Sequence, residues 1–317
     1  MMTTDIYLSF SITNNYQFFT LNESLAPLYE ELTYPHFHNL LHNLNSDISI
    51  IAIGVTVEKR PIGLILARYF SEDNQQIEGQ ILSWFVVPNY RGQGIGTELL
   101  VRMESQLKDR GCAKIELNYL SNPNNLKFER ILSKQNWLTP KVIALVCYAS
   151  TAKVEQTKDF HLIHYLDRLS SQLANDYVIF PWYNLTSEER KLIEKKMEID
   201  PLVRRFNPFF EEDKLETLNS LGLRYQNHVV GWVITHRISP DTIRYTQMFV
   251  HPEAQILSQS VLLLAKAIQV QVQAKEATKG TFRVDIDNTP MVNFVYRRLA
   301  PYLEDIRKSL KVSKHFN

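Results

Sequence analysis

Residues 81–97 read Ile-Leu-Ser-Trp-Phe-Val-Val-Pro-Asn-Tyr-Arg-Gly-Gln-Gly-Ile-Gly-Thr: an apolar run, a proline, and three alternating glycines before a helical pattern. The apolar run reads as a strand that Pro88 stops. The glycines leave backbone amides with no side chains in front of them, and a plain turn would need only one left-handed glycine. A helix opening at this point presents unpaired N–H groups and the positive end of its dipole, which together hold a phosphate or diphosphate. The order strand, loop, helix commits this part of the chain to an α/β layout with an anionic ligand at the turn.

Spacing excludes two common phosphate loops. A dinucleotide fold needs Gly-x-Gly-x-x-Gly, but Thr97 stands three residues after Gly94. A nucleoside-triphosphate loop needs Gly-Lys-Ser/Thr, and no lysine follows these glycines. What remains is Arg-x-x-Gly-x-Gly at Arg91, Gly94 and Gly96, directly after a Val-Val-Pro strand end. This pattern resembles the acyl-CoA diphosphate loop of the GNAT acetyltransferase superfamily, closely over residues 80–103 and more loosely over the rest of the first half.

The resemblance implies acetyl-CoA as co-substrate, with no metal, and acetyl transfer to a primary amine. It places the thioester along Phe85, Val86 and Val87. Arg91, Gly92, Gln93, Gly94, Ile95, Gly96 and Thr97 then surround the diphosphate, and Asn125 lies near the pantetheine arm. It also exposes two departures: the strand position that often carries a glutamate base is Gln80, and the position that often carries a tyrosine acid is Leu132. Glu78, two residues before Gln80 and on the same strand face, is the candidate base, acting through a water. Tyr119 and Ser121 are weaker candidates for the acid, and Tyr90 reads as a packing residue. A binder of acyl-CoA with little turnover, a sensor or scaffold, is the alternative reading.

A chain of 317 residues is comfortable for two domains. No apolar run approaches the roughly 18 residues that cross a bilayer, and Met1 to Phe10 lacks the layout of a secretory leader. With only Cys112 and Cys147, the chain has no disulfide framework, and a cytoplasmic setting is expected. The net charge of +1 gives no reason to expect nucleic acid, and no membrane partner is expected either. Residues 1–58 hold no lysine or arginine while carrying Asp5, Glu23, Glu30, Glu31, Asp47 and Glu58. In proteins like this the segment 22–45 walls the acceptor cleft, so the expected acceptor is a cationic small molecule or a peptide amine. His36, His38 and His42 sit close together without completing metal-ligand spacing.

The pattern predicts a helix from Asn22 to residue 45 interrupted at Pro35, strands at 50–58 and 62–69 joined by Lys59-Arg60-Pro61, and a helix closed by Gly111. A strand at 113–118, a helix opened by Asn122-Pro123 and a strand at 142–148 complete the half. The second half repeats the first: Gly231-Trp232-Val233-Ile234 parallels Gly63-Leu64-Ile65-Leu66, and Met248-Phe249-Val250-His251-Pro252 parallels Trp84 to Pro88. The expectation is α/β, with two tandem GNAT-like three-layer α/β/α domains and mixed central sheets. Residues 1–150 form the first, 151–176 a linker with a helix at 161–173, and 177–317 a degenerate second copy. In that copy Gln255 falls on Arg91, and Ile256, Ser258 and Ser260 replace the glycines, which argues against diphosphate binding. Its expected roles are to support the first domain, to close its cleft (with Trp182, Tyr183, Phe209 and Phe210 as candidate lining) or to form a homodimer.

Overall fold

The computed structural model describes residues 16–71, 76–156, 177–252 and 257–316. The expected linker helix and the Gln255 and Ile256 positions lie outside them. Two compact units emerge: Met1–Val142 together with Leu310–Asn317, and Ile143–Ser309. The division therefore differs from the expected 1–150 and 177–317, because strands far apart in sequence complete each unit.

In the first unit β1 (Gln17–Thr20), β2 (Ile50–Val57), β3 (Arg60–Phe70) and β4 (Glu78–Val86) pair antiparallel in that order. β5 (Lys114–Leu120) then joins β4 in parallel. Strand period sends alternate residues to opposite faces, and both faces are apolar. Ile51, Ile53, Ile65 and Ala67 pack under α2 (Ile95–Asp109), whose Leu99, Leu100, Met103 and Leu107 are buried. Ile50, Ala52, Leu64 and Leu66 pack with Leu21, Tyr29 and Leu41 on the other side. Two cores around one sheet are the expected three layers.

The expected helix at 22–45 is instead two tight 3-10 turns, Ala26–Leu32 and Pro35–Phe37, followed by the short α1 (His38–His42). Pro35 holds Tyr34 extended, with ψ 144, and breaks the run. The β2–β3 turn also differs. Glu58 and Lys59 occupy it, both left-handed at φ 47 and 66, while Pro61 belongs to β3. Gly111, at φ 81, ends α2 as expected, and α3 (Leu126–Lys134) follows the turn Pro123–Asn125 that Asn122 caps.

Residues 310–316 return to this unit from the far end of the chain. Leu138 N donates to Ser313 O at 2.8 Å and Phe316 N to Ala113 O at 2.9 Å. Val312 is buried in the α2-side core. Lys314 reaches the buried Glu104 at 2.5 Å, and Trp137 Nε1 donates to the same carboxylate at 2.6 Å.

The second unit begins with β6 (Lys141–Ser150), of which residues 143–150 are counted here, and α4 (Thr151–Gln156). β7 (Tyr177–Pro181), α5 (Ser187–Ile199), α6 (Pro201–Arg205), β8 (Leu221–Tyr225), β9 (His228–Ser239) and β10 (Thr242–Val250) follow. The unit ends with α7 (Leu257–Ala274), β11 (Lys279–Asp285), α8 (Thr289–Phe294) and β12 (Leu303–His315), of which residues 303–309 are counted here. β7 to β10 are antiparallel neighbours, β11 is parallel to β10, and β6 pairs antiparallel with β11 from Ala144 to Ser150. Trp232 and Ile234 face one core with Trp182 and Ile193, while Val233 faces the other with Leu263 and Ala267. Trp182 is core, whereas Tyr183 and Phe210 are exposed.

The register confirms the internal repeat. Gly63 pairs with Val86 and Gly231 with Val250, each two residues before the matching proline. Each unit also inserts one extra residue six before that proline, Leu82 in β4 and Thr246 in β10. Among the described residues no helix is long and apolar enough to cross a membrane, and no group of three or more His, Cys, Asp or Glu side chains is placed to hold a metal.

Two predictions follow from buried charge. Lys314→Met leaves Glu104 buried without its cation, and should cost about 3 kcal/mol in urea unfolding; adding Glu104→Gln should recover most of the loss. His236 is fully buried, with Nε2 donating to Phe210 O (3.0 Å) and Nδ1 accepting from Thr246 Oγ1 (2.6 Å). Burial and the nearby Arg244 hold its pKa below the usual 6.5, so the folded imidazole stays neutral while the unfolded one takes up a proton. Stability contributed by His236 is present above about pH 6.5 and is lost as pH falls through the lower folded value. Urea midpoints at pH 7 and 5 should drop for the wild type more than for His236→Gln.

Candidate active site

The site is built on the end of one parallel ladder. β4 and β5 pair from Glu78–Lys114 to Ile81–Leu117 and no further. The bulge at Leu82 redirects β4 just past that point, so residues 82–86 and 118–120 bound a gap in the β4–β5 ladder. Trp84 on β4 and Tyr119 on β5 both pack on Phe128 of α3, with ring centroids 5.2 and 4.9 Å apart, and line the α2-side of the gap. Pattern reading did not single out Trp84 or Phe128, although Trp84 is visible in the same strand as the expected thioester contacts.

At the mouth of the gap the chain turns through Pro88–Tyr90 into the glycine loop. Gly92 and Gly94 are left-handed, at φ 80 and 83, and a Cβ on either would meet nothing within 4 Å. Gly94 is the residue before α2, no side chain caps that end, and Glu98 N donates to Gly94 O at 3.0 Å. The helix therefore starts with bare amides facing open space. Gly96 differs from the other two: it lies inside the first turn of α2, where a Cβ would touch the Trp84 indole at 3.5 Å.

Most of the other loop residues hold the loop in place. Arg91 Nε donates to Val86 O at 2.7 Å and its guanidinium lies 5.3 Å from the Phe85 ring centroid, which fixes the arginine beside the strand end. Val87 N donates to Ile62 O at 2.9 Å, anchoring β4 to β3. Gln93 receives the Tyr16 hydroxyl and donates to Asn89 O at 3.4 Å. The Ile95 side chain is buried in the core, and Thr97 is half-buried. Asn125 donates through Nδ2 to Leu120 O at 2.7 Å and so closes the end of β5.

The two candidate catalytic positions lie apart from the gap. Glu78 stands at the hydrogen-bonded end of the β4–β5 ladder, about 10 Å along the strand from where the strands part, and pairs with Lys114 at 3.5 Å. Gln80 accepts from Arg68 Nε at 3.0 Å. Lys114 also binds Glu116 at 2.5 Å, and Lys311 binds Glu116 at 2.8 Å. Burial works against the charged Glu116, but the hydrogen bonds and charges of these two lysines outweigh it and lower its pKa. Leu132 is buried in the core, so its position offers no proton. Tyr119 donates to Glu129 Oε1 at 3.0 Å; burial first, then that bond and that charge, raise its pKa above the ordinary tyrosine value. It is a hydrogen-bond donor that stays protonated.

On the side of the sheet away from α2, where Phe37 packs, Tyr34, His36 and Phe37 form an aromatic cluster with centroid separations of 5.6 Å (Tyr34–His36) and 4.0 Å (His36–Phe37). His42 Nε2 contacts Glu30 Oε1 at 2.5 Å, and His38 Nε2 lies 3.1 Å from Glu30 O.

Residues 15–129 match the model of the Acetyltransferase (GNAT) family. This part of the chain is a GNAT domain. A tandem GNAT protein from the clavulanic acid biosynthesis pathway is similar over 95% of this chain and 98% of its own, at 12% identity and a TM-score of 0.66. A GCN5-related N-acetyltransferase from Sphaerobacter thermophilus is similar over 95% of both chains, at 14% identity and a TM-score of 0.58. No curated relative matches the chain. At such identities the likeness speaks to fold, and it is the tandem GNAT fold that the repeated register shows.

Gly96→Asp tests the loop. The helical φ and the ordinary van der Waals contact a Cβ would make with Trp84 accommodate a side chain, and a carboxylate in the first turn suits the helix dipole. Thermal melting should be unchanged or slightly raised, while acetyl-CoA affinity measured by calorimetry should fall at least tenfold through repulsion of the diphosphate.

Proposed function

We propose that the first unit transfers an acetyl group from acetyl-CoA to a primary amine on a cationic small molecule or peptide. The observation that carries this is the uncapped start of α2, where left-handed Gly92 and Gly94 leave its amides facing open space beside the β4–β5 gap. Those amides would hold the diphosphate, Arg91 would add charge beside it, and the gap would take the pantetheine arm. In the reaction the amine nitrogen forms a bond to the thioester carbonyl carbon and the C–S bond breaks. The amine gives up a proton and the departing thiolate gains one. Holding the two reactants in one gap supplies most of the acceleration.

The chain offers little dedicated acid–base machinery in the gap. Glu78 is engaged with Lys114 and Gln80 with Arg68, so the amine proton passes to water, while Tyr119 serves the gap as a fixed dipole. The aromatic cluster at Tyr34 to Phe37 beside Glu30 and Glu31, in a segment without lysine or arginine, favours a cationic acceptor. The same scarcity of proton-transfer groups supports a second reading, an acyl-CoA binder with little turnover.

A panel of amines with free-thiol detection separates the two readings. Polyamines and lysine-bearing peptides should release thiol faster than neutral amines, and an anionic acceptor turning over best would overturn the charge argument. Binding without thiol release from any amine would select the sensor. Glu78→Gln should retain turnover within about threefold; loss of turnover with binding intact would identify Glu78 as the base.

A further inference from the structure

The second unit contains a cavity of about 420 Å³ that the acyl-transfer reading does not use. It occupies the counterpart of the first unit's gap. β10 and β11 stay paired only as far as Tyr245–Phe282, and the bulge at Thr246 follows at once. The register sets Met248 where the first unit has Trp84, since Met248 pairs with Val233 as Trp84 pairs with Ile65. In the first unit the Trp84 indole, packed on Phe128, narrows this space from one side; with methionine in that place the second unit leaves it wider.

The two ends of the cavity differ in chemistry. At the inner end, Tyr245 donates to Gln271 Oε1 at 2.7 Å and accepts from Asn219 Nδ2 at 3.1 Å. Gln271 Nε2 donates to Ala277 O at 3.0 Å and Lys279 O at 2.9 Å. Every donor of these two side chains is thus committed within the protein, and the walls beyond them are apolar: Val233, Met248, Leu264, Phe282 and Leu299. Leu299 is carried by a wide i→i+5 turn, Val295–Leu299, a rare geometry often retained at functional sites.

The outer end carries surplus positive charge. Arg205 and Arg283 both line it and share one carboxylate, Asp285, at 3.6 and 3.2 Å. Arg205 is 61% exposed and makes no closer ion pair among the described residues. Residues 251–260, His-Pro-Glu-Ala-Gln-Ile-Leu-Ser-Gln-Ser, contain no glycine, so the diphosphate grip of the first unit has no equivalent here.

We propose that this cavity binds an aliphatic chain ending in a carboxylate, with the chain among Val233, Met248, Leu264 and Phe282 and the carboxylate at Arg205 and Arg283. The committed inner end asks for nothing polar, and the outer end leaves guanidinium donors for a planar anion.

The test is calorimetry on the full chain, using decanoate as probe and the Gly96→Asp protein to silence the loop of the first unit. Decanoate should bind equally to wild type and Gly96→Asp, so this result is independent of the transferase reading. Affinity should rise roughly tenfold for each two methylenes from hexanoate to decanoate. Decylamine and decanol should bind at least tenfold more weakly. Arg205→Glu, at an exposed position, should weaken decanoate at least tenfold, while Arg205→Lys keeps most of the affinity. Met248→Trp should abolish binding with the melting temperature preserved. No binding of decanoate, equal binding of decylamine, or indifference to Arg205→Glu would each overturn the proposal. Displacement of decanoate from the Gly96→Asp protein by coenzyme A would also overturn it, by revealing a second thioester slot.

Discussion

A parallel ladder that stops after four residue pairs is the constraint on which the site depends. Backbone N–H and C=O groups rarely stay unpaired in a folded protein. Beyond Ile81 and Leu117 the facing edges of β4 and β5 no longer serve each other. The extra residue at Leu82 enforces the separation, because a bulged strand bends away from its neighbour. A gap with polar edges and an aromatic lining suits an amide-rich chain laid along β4. The bare start of α2, one short turn further on, is the proposed anion seat. The β4 side of the ladder, the bulge, the proline and the glycines follow one another along the chain from Glu78 to Gly96, while β5 and α3 supply the facing edge and Phe128.

The second unit keeps the ladder and bulge but changes what fills the opening. Where Ile81 and Leu107 are apolar in the first unit, the matching positions hold Tyr245 and Gln271, joined to Asn219 in a hydrogen-bonded set. A buried polar set of this kind is tolerable because its donors are met internally. The scaffold thus fixes where a cleft forms, and a few side chains decide what enters it.

Sequence reading succeeded where the physics is local. Pro88, Gly92 and Gly94 set backbone geometry within a few residues, so the loop, the start of α2 and the closing Gly111 could be placed from pattern alone. The repeat was readable because Gly63 and Gly231, and Pro88 and Pro252, keep the same spacing from their bulges. Pairing that depends on distant residues was hidden. Nothing near Glu78 announces Lys114, 36 positions later, as its ion-pair partner, and nothing near Arg68 announces Gln80 on the next strand as an acceptor. The segment 22–45 carried a helical apolar spacing, but Pro27 and Pro35 tightened it into 3-10 turns, whose apolar period differs little over so short a run.

The return of residues 310–316 to the first unit bears on how the protein is made. A ribosome delivers residues 16–142 well before it delivers Val312 and Lys314, so the GNAT domain waits, with the β5 side of its sheet uncovered and Glu104 lacking its cation, until translation has passed both units. Its maturation is thereby tied to synthesis of the whole second unit, and a polypeptide aborted within that unit leaves no finished first one behind.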